Sequence, residues 1–220
     1  MITSLRVFRV SAHVAEARTP SAYGTLDRDE CERAEAFLRD VDRDRYLVAH
    51  TALRRELGTH LGVPPGEVPL TRADCPVCDG PHGRPSVAGD PVHFSLSHAG
   101  DLVLIALAEE PVGVDVEEHP GAKTVAETAS ALHPRERAEL EALPEAARPA
   151  AFARCWTRKE AYLKGTGTGL AEDPALTYVS TLGAPADPPG WRLADVEVPV
   201  GYAAASALAA DGSPAGPLTR

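Results

Sequence analysis

Asp115 and Glu117 lie two residues apart in the run VGVDVEE, where Val112, Val114 and Val116 alternate with Gly113, Asp115 and Glu117. A strand sends every second side chain to the same face, so the two carboxylates point the same way and can converge on one cation. The solvent face of an edge strand tolerates such a pair as well. The nearly continuous apolar run just before it argues instead for a half-buried strand inside a sheet. A second set falls on CWTRKEAYLKG, where Trp156, Glu160 and Lys164 stand at i, i+4 and i+8 along one helix face. A Glu and Lys at that spacing can be an ordinary surface pair with Trp156 as a core anchor. Three carboxylates are also the donors that hold magnesium against phosphate oxygens, and a lysine shares the stripe of the third.

The basic residues add to this. Of 22 Lys and Arg side chains only Lys123, Lys159 and Lys164 are lysines, and two of them share one helix. In a chain that otherwise uses arginine, a compact ammonium kept twice in one segment suggests point-charge chemistry. The net charge of −10 disfavours a general nucleic-acid surface, which needs clustered basic residues; an anionic substrate would need a local pocket. No apolar stretch approaches the roughly 20 residues of a membrane-spanning helix, and the first residues lack an export signal. A cytoplasmic protein with reduced thiols is expected. Cys75 and Cys78 form a CxxC that, with His82, would supply part of a zinc site, yet no second pair completes it, and a turn-rich loop is the favoured reading.

The elements that must position these residues read as mixed α+β. Residues 1–14 alternate as a strand, and helices are expected at 27–40 and from about 42 to 61. Residues 63–91, rich in Pro and Gly, read as loop with at most a short strand. Strands at 93–97 and 102–108 form a hairpin before the carboxylate strand. Helices follow at 124–132, 134–143 and 145–164, then strands at 176–180, 191–198 and 202–208. A seam near 108–112 divides the chain into a lobe of residues 1–109, a lobe of 110–210 and a loose tail, 211–220. No internal repeat is visible in the sequence.

GVDVEE (Gly113 to Glu118) and WTRKEAYLKGTGTGL (Trp156 to Leu170) resemble the two signature motifs of the 4'-phosphopantetheinyl transferase superfamily. FSLSHAG (Phe94 to Gly100) and PHGRP (Pro81 to Pro85) are similar to further motifs of its longer, monomeric, surfactin-synthetase-activating type, and RYLVAHTALR (Arg45 to Arg54) extends the likeness towards the amino terminus. The resemblance implies two similar α+β lobes packed as a pseudo-dimer. It also implies transfer of 4'-phosphopantetheine from coenzyme A to a serine of an apo acyl or peptidyl carrier protein. By the same resemblance Asp115, Glu117 and Glu160 would hold magnesium, and Glu160 would be the general base. Lys164 and Lys159 would add positive charge at the pyrophosphate. Arg45, Arg54, Arg84, Ser97 and His98 would bind the adenine nucleotide and its 3'-phosphate. Carrier domains of polyketide or nonribosomal peptide synthetases are the expected partners. The competing readings are a non-catalytic coenzyme A or nucleotide binding module, which predicts a lost metal carboxylate or lysine, and a metal-dependent phosphodiesterase, weakened by the lack of a histidine near the carboxylates.

Overall fold

The computed structural model describes residues 1–74, 80 and 83–210. The expectations for Cys75, Cys78 and His82 and for the tail 211–220 fall outside the described residues. The first half runs β1 (Ile2–Arg9), α1 (Val10–Ala17), α2 (Pro20–Tyr23), α3 (Arg28–Glu35), α4 (Asp40–Leu61), β2 (Leu70–Arg72), β3 (Pro85–Val87), β4 (His93–Ala99) and β5 (Leu102–Ala108). The second runs β6 (Val112–Glu118), α5 (Ala122–Thr128), α6 (Pro134–Ala142), α7 (Arg148–Thr166), β7 (Trp191–Asp195) and β8 (Tyr202–Ala209).

Strands β1, β5 and β4 form one antiparallel sheet in the order β1-β5-β4, and β6, β8 and β7 form another in the order β6-β8-β7. Each half therefore places its first strand, its long helix and its final hairpin in the same topology: first strand, third strand, second strand. This is an internal repeat that the sequence does not display, because topology depends on where apolar residues recur and not on which residues they are. The chain is an α+β protein of two similar lobes.

β5 joins them. All seven of its residues are buried. Val103, Ile105 and Leu107 pack into the core under α4, while Leu102, Leu104, Ala106 and Ala108 meet Val112, Val114 and Val116 in an apolar layer between the lobes. A strand with both faces covered must be apolar at every position, which explains its unbroken run. A third core gathers Phe152, Tyr162 and Leu163 of α7 with Trp191 and Leu193 of β7.

Where the lobes meet, β4 and β6 run side by side without sharing a backbone ladder. Ser95 Oγ accepts from Val114 N–H at 3.0 Å, and Ser97 Oγ accepts from Val116 N–H at 3.3 Å. Two hydroxyls at i and i+2 thus satisfy buried amides that would otherwise lack partners. On the other face, α7 comes so close to β6 that a Cβ on Gly113 would lie 1.9 Å from the Ala161 carbonyl oxygen. Only glycine permits that approach.

Several elements differ from the expectation. The amino-terminal strand stops at Arg9, because Val10 N–H bonds the Asp101 carbonyl at 2.8 Å and the chain turns into α1. The 27–40 helix ends at Glu35. The strand at 93–97 extends to Ala99, and the last expected helix begins at Arg148 after a 3-10 turn at Glu145–Ala147. The stretch 176–180 is no strand: several of its backbone groups are taken by side chains of α6 and α7. Glu136 accepts from Val179 N–H at 2.7 Å and Glu139 from Thr181 N–H at 2.8 Å, while Arg158 donates to the Ser180 and Leu182 carbonyls at 2.8 and 2.9 Å. Charged groups on the helices outcompete a ladder here.

Candidate active site

Trp156, Glu160 and Lys164 are the half-buried positions that recur every fourth residue of α7, whose opposite face is buried. With Asp115 and Glu117 of β6 and Leu96, Ser97 and His98 of β4 they line a cavity of 340 Å³ at the junction of the lobes. The Gly113 contact brings the two motifs together: it seats α7 on β6, so that Glu160 and Lys164 face Asp115 across the cleft. A second cavity of 350 Å³, lined by Arg18, Tyr23, Asp40, Arg43 and Leu47, holds no comparable group of carboxylates.

Asp115 is 2% exposed. One of its oxygens, Oδ1, accepts from Ser97 Oγ at 2.7 Å and from Lys164 Nζ at 2.6 Å. The other, Oδ2, is buried and has no hydrogen-bond partner. Burial pushes the Asp115 carboxyl up, against the pull of Lys164 and Ser97. Burial and the neighbouring Asp115 charge push Glu117 up to about 7, and the same two causes raise Glu160. Crowded, desolvated carboxylates of this kind hold surplus negative charge that a cation would relieve. Among the described residues no three acidic, His or Cys side chains stand ready as a closed metal site. The arrangement fits a hard cation of the magnesium type, which takes one or two carboxylates and completes its shell with water and substrate phosphate. The unpartnered Oδ2 of Asp115 is the atom such an ion would find waiting.

The basic residues expected to hold the nucleotide divide into two groups. Arg45 donates to the Gly100 carbonyl at 2.9 Å, at the turn just beyond His98. Arg84 donates to the Gly165 carbonyl at 2.8 Å, beside Lys164, and burial lowers its pKa. His98 lines the cavity, and desolvation together with the nearby Arg45, His50 and Lys164 lowers its pKa. Of these three, His98 lines the cavity, and Arg45 and Arg84 reach backbone within two residues of its lining.

Arg54 and Lys159 do not. Arg54 is 1% exposed and is spent on Glu30 at 2.5 Å and Asp27 at 2.6 Å. Lys159 is 2% exposed, pairs with Glu136 at 2.7 Å and donates to the Pro174 and Thr177 carbonyls at 2.8 and 2.5 Å. Neither lines the cavity. Both cations are held inside the protein by carboxylates, and withdrawing either would strand a buried charge. Conversely, Trp156 is no simple core anchor. It is half-buried, stacked on Phe152 with centroids 5.9 Å apart, and forms one wall of the cavity. Leu96 forms another, and only its alternation with Ser95 and Ser97 could have signalled it.

The turn above the cavity is fixed from both lobes. Asp101 accepts from Ser11 N–H at 2.7 Å and its own N–H donates to Tyr202 Oη at 3.0 Å. Gly100, with φ of 52°, leaves room for that phenol, which a Cβ would meet at 2.2 Å.

Residues 111–192 match the family model of the 4'-phosphopantetheinyl transferase superfamily. The chain is 31% identical over 218 residues to the 4'-phosphopantetheinyl transferase HetI of a Nostoc species, covering 94% of this chain and 89% of that one. It is 26% identical over 158 residues to the 4'-phosphopantetheinyl transferase of Bacillus subtilis, covering 71% and 65% of the two chains. Over 110 residues, 46% of this chain and 56% of the other, it is 40% identical to the 4'-phosphopantetheinyl transferase AcpT of Salmonella typhi.

Proposed function

The chain belongs to the 4'-phosphopantetheinyl transferase superfamily, and we propose that it moves the 4'-phosphopantetheine arm of coenzyme A onto a serine of an apo carrier protein through the cavity between its lobes. The observation that carries this reading is the meeting of Asp115, Glu117, Glu160 and Lys164, from two motifs some forty residues apart, on one cavity walled by Trp156. A binding module without chemistry would have no need to keep three desolvated carboxylates and a lysine together. No helix among the described residues is long and apolar enough to cross a membrane. A cytoplasmic monomer that binds no nucleic acid fits the net charge of −10 and the two-lobed architecture.

Asp115, Glu117 and Glu160 would hold magnesium, which when bound neutralises charge on the pyrophosphate of coenzyme A. Lys164 lies against the same carboxylates and supplies the ammonium for the phosphate oxygens. Glu160 takes the proton from the carrier serine hydroxyl, directly or through water. Burial and the neighbouring Asp115 raise its pKa. The serine oxygen forms a bond to the β-phosphorus, and the bond from that phosphorus to the bridging oxygen breaks, releasing adenosine 3',5'-bisphosphate. His98 at the cavity, with Arg45 and Arg84 bonded to backbone near its lining, would bind the adenine nucleotide and its 3'-phosphate, and Ser97 holds Asp115 and Lys164 in register. Base catalysis contributes about 10²- to 10⁴-fold, and positioning with charge neutralisation contributes the remainder.

The test is direct. Apo acyl and peptidyl carrier domains are incubated with the protein, coenzyme A and magnesium, and the carriers are weighed by mass spectrometry. A gain of one phosphopantetheine arm is expected; unmodified carriers, in an assay where a known transferase modifies them, would sink the reading.

A further inference from the structure

The Lys164 ammonium does more in this arrangement than wait for a phosphate. It lies 2.6 Å from Asp115 Oδ1 and 3.1 Å from Ser97 Oγ, on a carboxylate that is almost wholly buried. We propose that Lys164 is the resident counter-ion of Asp115 in the free enzyme and changes partner during substrate binding, so that a divalent cation is admitted at Asp115 only together with the diphosphate of its substrate. The proposal rests on the transfer reading above and deepens it.

Three observations carry it. Asp115 already has one cation at bonding distance, and a divalent ion brought beside that ammonium would meet a like charge at close range. A diphosphate removes the obstacle, since it offers Lys164 new oxygens at the moment it brings the metal the remainder of its shell. The lysine can make the move: its side chain is 33% exposed, whereas Asp115 is fixed in β6 and held by Ser97. Lys159, five residues earlier on the same helix, cannot substitute, because its ammonium is buried on Glu136. A compact ammonium suits exchange between two anions better than a guanidinium, whose planar fork favours one bidentate partner. No bond is made or broken. Asp115 passes from one cation to another and Lys164 from one anion to another.

Manganese(II), titrated by electron paramagnetic resonance into the full chain without coenzyme A, tests the idea. Lys164→Met should bind it at least tenfold more tightly than the natural protein, while Lys164→Arg stays as weak as the natural protein. Equal affinity in Lys164→Met and the natural protein overturns the proposal. The natural protein gives a second reading that needs no variant, because only Lys123, Lys159 and Lys164 carry an ammonium side chain. With lysine labelled by nitrogen-15 at Nζ, the Lys164 resonance should hold its position in millimolar magnesium and move when coenzyme A is added with it. Movement of equal size with magnesium alone also overturns the proposal. Carrier modification is scored separately: loss of transfer with both cation results intact removes the functional reading, and transfer with either cation result reversed removes the exchange alone.

Discussion

α4 and α7 occupy the same place in the two lobes, and each drives a buried cation into the capping residue of the short helix before it. In the first lobe, Asp27 and Glu30 cap α3 reciprocally, and Glu30 receives Arg54 from α4. In the second, His133 and Glu136 cap α6 in the same way, and Glu136 receives Lys159 from α7. The partners are 24 residues apart in one lobe and, by numbering, 23 in the other. A capping-box glutamate at the third helical position already bonds a backbone N–H, so the added cation locks the short helix to the long one. The lobes differ on the other face. β1 and β6 are each the edge of their sheet, but β1 is largely exposed, whereas β6 packs its free side against β4 and buries Asp115 against the stripe of Trp156, Glu160 and Lys164. The clamp is common to both halves, and the carboxylate-lined cavity lies against one of them only, where β6 packs between β8 and β4.

The comparison is broken most severely at Glu160. If the cavity face of α7 is devoted to catalysis and the clamp face to stability, Glu160→Gln should cost at least 10²- to 10⁴-fold in kcat for carrier modification, the range for a lost general base. Its thermal midpoint should stay within a few degrees of the natural protein. Full activity in that variant would remove Glu160 from the base role.

Arg54→Met and Lys159→Met should do the reverse. Each keeps an aliphatic stem and strands a buried carboxylate, a change that costs about 3–5 kcal/mol. Urea unfolding would read the loss, and the KM for coenzyme A should be unchanged in the surviving folded fraction. Glu136→Gln combined with Lys159→Met should recover part of the loss, because no unpaired charge then remains. A normal stability with a raised KM in Lys159→Met would return that lysine to the phosphate site and end the parallel between the lobes.

A smaller effect is expected where β6 carries α7. Gly113→Ala places a methyl group 1.9 Å from the Ala161 carbonyl and 2.4 Å from the Gly165 amide. Both are backbone atoms, so the helix must shift, at about 1–3 kcal/mol for overpacking. The shift carries Glu160 and Lys164 away from Asp115, so transfer should fall while the first lobe's clamp is untouched.

Much of this could be read from the residues. The alternation around Asp115 and the four-residue stripe from Trp156 to Lys164 each define a face, and a face is what local periodicity specifies. The hairpin of β4 and β5 was legible for the same reason. The repeat, the Ser95 and Ser97 bridges and the partners of Arg54 and Lys159 were not. A buried cation and a phosphate-binding cation are the same residue type in sequence, and only the distant carboxylate separates them. Scarcity of lysine pointed to α7 but could not tell Lys164, in the cavity, from Lys159, in the clamp. The segment 176–180 has the β-branched residues of a strand, yet the glutamates and arginines that take its backbone groups lie at least 20 residues upstream.

The gentlest test of the parallel is acid. Desolvation pushes the Glu30 carboxyl up, but the contact with His50, the Asp27 amide and the Arg54 charge outweigh it and hold the group below its ordinary value. The folded protein therefore releases this proton more readily than the unfolded chain does. Its contribution to stability is fully present above the unfolded pKa and is lost as pH falls through the lower, folded one. Below neutrality the natural protein should thus lose stability more steeply than Glu30→Gln, which is weaker at pH 7 but lacks this proton-linked slope. Urea midpoints taken at intervals from neutral pH into the acid range for both proteins would show converging curves. Parallel curves would mean that the charge on Glu30 adds nothing to the clamp, and that in the first lobe packing and the capping hydrogen bonds hold α3 on α4 without it.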